Sequence, residues 1–132
     1  MSGEYREQLS SGGELVVSEK EWHIKYYFPG PDYRYNGTVV TVNGVEIEKY
    51  IKAWQNNFHK FITLKKKIPR NGTFETEGSM GMSIRIGEFN EGVCIRSYHM
   101  PISTKRQLNQ VIFDYSKAKN KVKEAQKMLR SL

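Results

Sequence analysis

Trp22, Ile24, Tyr26 and Phe28 alternate with His23, Lys25 and Tyr27, the period-two pattern of a strand with one buried face. Glu14 to Ser18 reads as a shorter strand ahead of it. Pro29-Gly30-Pro31-Asp32 stops it, because two prolines cannot donate to a ladder. Tyr33 to Val42 returns as a third strand, with Asn36-Gly37 marking a bend or bulge. From Asn43 the period changes. Ile47, Tyr50, Ile51, Trp54, Phe58, Phe61 and Ile62 recur at helical steps, so one helix face is broad and apolar. Asn43 is the expected N-cap, with Glu46 as its reciprocal partner. Pro69 disfavours a helical conformation in the residue before it and ends the helix near Ile68.

A second group of strands follows: Thr73 to Glu77, Met82 to Ile86, and Val93 to His99. Asn90-Glu91-Gly92 fits a hairpin loop with glycine at the left-handed position. Pro101-Ile102-Ser103 introduces a long helix with Ser103 as the expected N-cap. Its apolar positions, Leu108, Val111, Tyr115, Ala118, Val122, Ala125, Leu129 and Leu132, alternate steps of three and four. That is a coiled-coil-like seam, weakened by two alanines and a tyrosine.

The order predicted is βββαβββα, an α+β fold in which one antiparallel sheet carries two helices on one face. Residues 1–12 are polar and are expected to form a flexible leader, with 13–132 a single α+β domain. A helix over 104–132 spans about 43 Å, whereas a compact domain of this length is about 35 Å across. The helix should therefore overhang its sheet. Its seam would then need another surface, which predicts a homo-oligomer built through the C-terminal helix.

Composition changes this picture little. In 132 residues, 38% are hydrophobic and 27% charged, which is ordinary globular usage and argues against wholesale disorder. The lone Cys94 excludes an intramolecular disulfide and fits a reducing, cytoplasmic setting. No run of 18 apolar residues occurs, and no membrane partner is expected.

Charge changes it more. The net +7 is concentrated. Residues 104–132 carry Lys105, Arg106, Lys117, Lys119, Lys121, Lys123, Lys127 and Arg130 against Asp114 and Glu124, a net +6. Lys60, Lys65, Lys66, Lys67 and Arg70 form a second cluster, of which the three consecutive lysines suit the negative end of the first helix. The opening 21 residues are acidic, at −3. Such foci point to polyanionic partners or acidic surfaces.

Catalytic patterns fail, and an enzyme is not expected. His23, His59 and His99 lack ligand spacing, so no metal site is expected, and no phosphate-loop motif occurs. Glu46-x-Glu48 lacks the lysine of a nuclease-type set. Gly78-Ser-Met-Gly81 has the spacing of a KH-type loop, but strands flank it. No cofactor is implied. The segment from Trp22 to Tyr35 interleaves aromatics with Lys25 and Arg34, a mixture that stacks bases and tracks phosphates. The reading is a small non-enzymatic module that binds nucleic acid or a nucleotide. Its expected ligand-binding residues are Lys25, Tyr27, Tyr33, Arg34, Tyr35, Lys105, Arg106, Lys117, Lys119, Lys121 and Lys123. The alternative is an oligomeric factor sequestering a protein target or small nucleotide, such as a virus-encoded inhibitor of a host defence system.

Overall fold

The computed structural model describes residues 3–28, 38–87, 91–95 and 101–132. The chain divides into two compact units, one formed by Met1–Ile47 with Gln110–Leu132 and the other by Glu48–Asn109. The class is α+β; among the described residues there are seven strands, a helix between the fourth and fifth, and a long helix at the C-terminal end.

In the first unit, β1 (Tyr5–Gln8), β2 (Glu14–Val17), β3 (Trp22–Phe28) and β4 (Thr38–Asn43) form an antiparallel meander in the order β1-β2-β3-β4. Glu7 lies opposite Leu15, Leu15 opposite Ile24, and Ile24 opposite Val42. This register puts Leu15, Val17, Ile24, Tyr26 and Val42 on one face, each at most 3% exposed. The final helix, α2 (Lys105–Ser131), covers that face from Gln110 onward. The Tyr26 hydroxyl donates to the Tyr115 hydroxyl at 3.2 Å, and Lys121 pairs with Glu7. Gln126 Nε2 and Arg130 donate to the carbonyls of Ser18 and Glu19, in the turn between β2 and β3.

Two observations bear on the expected leader and on the expected helix seam. Residues 1–12 include a paired strand: the Arg6 guanidinium bridges Glu4 and Glu14, both at 2.8 Å. The seam of α2 is filled from within the chain. Leu108, Val111, Tyr115, Ala118, Val122, Ala125 and Leu129 are all buried, and only Leu132 of the eight positions is open. Those seven positions are covered within the chain, while Phe113 and Met128 on other sides of α2 are exposed.

In the second unit, α1 (Ile47–Lys67) is followed by β5 (Phe74–Glu77), β6 (Met82–Ile86) and β7 (Gly92–Ile95), antiparallel in the order β5-β6-β7. There are thus two sheets, where the alternating pattern was read as one. Trp54, Phe58 and Phe61 on α1 and Met82, Ile84, Ile86, Val93 and Ile95 on the strands are buried. Asn57 joins helix to strands. Its Nδ2 donates to Ser79 O at 3.0 Å, and its Oδ1 accepts from Ser79 N at 2.8 Å. Gly78 is required beside it, since a Cβ there would lie 2.4 Å from Asn57 Oδ1.

Element ends differ in detail. Gly44–Glu46 forms a 3₁₀ turn, and Asn43 makes no side-chain cap, so the expected capping box is absent. At α2 the N-cap is Thr104, one residue later than the expected Ser103, and it forms a capping box with Gln107. Thr104 Oγ1 accepts from Gln107 N at 3.2 Å, while Gln107 Oε1 accepts from Thr104 N and Ser103 N. β4 starts at Thr38 and β7 ends at Ile95. The expected strand residues 33–37 and 96–99, with the loop residue Asn90, lie outside the described residues.

Candidate nucleic-acid interface

Of the expected ligand-binding residues whose side chains are described, Lys25, Lys117, Lys119, Lys121 and Lys123 belong to the first unit and Lys105 and Arg106 to the second. Lys25 is half-buried on the face of β3 opposite Tyr26, away from the face covered by α2. Tyr27 lies on β3, but its side chain is outside the described set, as are Tyr33, Arg34 and Tyr35 entirely. Lys105 and Arg106 are exposed in the first turn of α2, within the second unit.

The remaining lysines separate around α2. Successive residues turn by about 100°, so Lys117 and Lys121 share one flank of the buried stripe. Lys119 and Lys123 share the other. Lys121 is committed to Glu7, which also accepts from the Tyr5 hydroxyl at 2.6 Å. The Lys121 ammonium and the Tyr5 hydroxyl hold the Glu7 carboxyl below its ordinary range. The same hydrogen bonds push Tyr5 and Lys121 up. Lys117, on the same flank, is exposed.

On the other flank the row continues beyond the expected residues. Lys119, Lys123 and Lys127 follow at four-residue steps, with Arg130 on the same side, and all four are exposed. Lys127 and Arg130 were missing from the expected set, although the same four-residue spacing includes the first of them. The row borders Gln126, three residues from Lys123 and four from Arg130.

Gln126 is also one wall of a groove of about 530 Å³, lined by Lys20, Glu21, Trp22, His23, Asn43, Gly44, Val45 and Gln126. All belong to the first unit. His23 and Asn43 are directly opposed in the β3–β4 register. The Trp22 indole packs on Gly44 so closely that a Cβ there would lie 2.4 Å from the ring. His23 Nε2 is buried and has no hydrogen-bond partner among the described residues. Burial, then the nearby Lys25, push the imidazole below its ordinary pKa, so it is neutral at pH 7.

A second groove of about 460 Å³ lies beside β5 and β6, where Phe74 is partly exposed. Its Arg85 already faces Glu75 at 3.5 Å. Among the described residues no group of three His, Cys, Asp or Glu could hold a metal ion. None of the described helices is long and apolar enough to cross a membrane. Comparison with protein-family models, curated proteins and solved structures finds no match.

Proposed function

We propose that the protein is a small non-enzymatic binding module for nucleic acid, working in a reducing, cytoplasmic setting. One observation carries the reading: the row of Lys119, Lys123, Lys127 and Arg130 along an exposed flank of α2. Four-residue steps on a helix put successive cations about 6 Å apart, close enough to engage neighbouring phosphates of a strand. Each phosphate neutralised releases counterions, and affinity falls as salt rises. The aromatic and arginine segment through Tyr27, Tyr33, Arg34 and Tyr35 supplies stacking surfaces in this reading. Self-association is not required by it, because seven of the eight seam positions are buried within the chain.

The test is retention of a fluorescent single-stranded oligonucleotide between about 50 and 200 mM salt. The expected slope of log K against log salt is about −0.7 for each phosphate engaged. The double variant Lys123→Glu with Lys127→Glu should lose most of the affinity at low salt and flatten that slope. Lys121→Gln should leave the slope unchanged, since its charge is used by Glu7. Equal binding by wild type and the double variant removes the helix from the interface.

A further inference from the structure

We propose that the outer face of α2 docks on the same face of a second copy of the chain, with the two helices antiparallel and crossing between Asn120 and Lys121. This is independent of the nucleic-acid reading, since Lys119, Lys123 and Arg130 lie on another flank of the helix.

The face is set by what the fold leaves open. Phe113 is 63% and Met128 43% exposed, and Lys117, Asn120 and Glu124 between them are exposed too. At about 100° per residue, these five side chains leave the helix within an arc of about 80°, clear of the buried stripe. All belong to the first unit. Phe113 and Met128 are about 22 Å apart along the axis, too far to cover one another.

The order of side chains along this face is self-complementary. About a twofold axis between residues 120 and 121, Phe113 of one copy comes level with Met128 of the second copy, and Lys117 with Glu124. Symmetry makes each contact twice. Parallel helices would instead set Lys117 against Lys117 and Glu124 against Glu124, like charges that oppose association. Neither Lys117 nor Glu124 is held in an ion pair among the described residues, so both charges are available to a partner.

A receptor for the Phe113 ring is present at the right level. Beside Met128 lies a groove of about 300 Å³ lined by Tyr5, Lys121, Glu124, Ala125 and Met128. Tyr5 offers the incoming ring an aromatic pair, and Met128 offers a thioether contact. Tyr5 and Lys121 are both held by Glu7, so this wall is in place before a second copy arrives. About four helical turns per copy make a small interface, and a dimer dissociating in the micromolar range is expected.

Sedimentation of the full chain tests this, after nuclease treatment so that no strand bridges two copies. The range is about 1 to about 500 μM, which spans a micromolar equilibrium. Wild type should pass from monomer to dimer. Phe113→Ser should weaken association about tenfold or more, with helix content by circular dichroism unchanged because the side chain is exposed. Lys117→Glu and Glu124→Lys should each weaken it about tenfold. The chain carrying both charge changes should regain wild-type association, as expected when Lys117 faces Glu124 across the twofold axis. A wild type that stays monomeric throughout overturns the proposal and leaves the face to a different protein. A dimer insensitive to Phe113→Ser overturns it as well, since another surface would then hold the copies together. A doubly reversed chain that associates no better than either single variant overturns the antiparallel register.

Discussion

Asp114 carries a carboxylate into the middle of an apolar stripe and is 2% exposed. Its two oxygens accept from the Ser10 hydroxyl at 2.7 Å and the Ser11 amide at 2.6 Å, which ties the turn between β1 and β2 to α2. Gln110 Nε2 adds a bond to Ser10 O at 3.0 Å. Asp114→Ala leaves the Ser11 amide without its acceptor, and a hydrogen bond to a charged group is worth about 1.5–3 kcal/mol. The expected loss is about 3 kcal/mol by urea unfolding, against about 1 kcal/mol for Ser10→Ala. His23 gives a pH signature. Burial and the cations of Lys25 and Arg6 oppose its protonation, outweighing the opposite pull of Glu4 and Glu21. The folded state thus binds fewer protons than the unfolded one below the ordinary value of 6.5. Stability falls as pH drops through that value toward the lower folded one. A Tm measured from pH 7 to pH 5 should decline in wild type and decline less in His23→Gln. Neither residue announced its role in the sequence. Asp114 sits one residue before a seam position and was counted only as an offset to the basic charge. His23 was weighed only as a metal ligand, because strand alternation says which face a residue takes and not what surrounds it.

At the scale of elements, periodicity carried more. The seven central apolar positions of α2 are all buried as its spacing required, and Pro69 ends α1 where it should, with Ile68 N still bonded to Leu64 O at 3.0 Å. Helix starts were less legible, since Ser103 and Thr104 are both good caps and only backbone geometry chooses between them. The choice matters for stability. Thr104→Ala removes the acceptor for the Gln107 amide and should cost about 1 kcal/mol. Ser103→Ala keeps that bond and the Ser103 amide's donation to Gln107 Oε1; it loses only the exposed 3.3 Å bond from the Ser103 hydroxyl to the same oxygen and should change the thermal midpoint little. Equal effects from the two variants would return the cap to Ser103. β1 was missed for a physical reason. Tyr5, Arg6, Glu7 and Gln8 form a strand with almost no apolar alternation, held by the Arg6 bridges to Glu4 and Glu14 and by the Lys121–Glu7 pair.

Pairing between elements distant in the chain leaves no local trace, and here the largest difference from expectation arose. Reading one sheet under two helices makes every strand depend on both helices. In the structure the first unit is discontinuous: its sheet ends at Asn43, and its covering helix belongs to it only from Gln110. The second sheet has its own helix, α1, joined through Asn57 to Ser79 and Met82. Removal of residues 110–132 separates these views. Leu15, Val17, Ile24, Tyr26 and Val42 would lose their cover. Burial of each such side chain contributes about 1.5–3 kcal/mol, together comparable with the whole stability of a domain, about 5–15 kcal/mol. Hydrogen exchange on the shortened chain should show amide protection lost across β1 to β4 and kept in α1 and β5 to β7. Loss spread evenly over all seven strands would instead mean that the two sheets behave as one cooperative body. In that event Asn57→Ala, which cuts only the second unit's link between helix and strands, should lower protection in β1 to β4 as much as in β5 to β7.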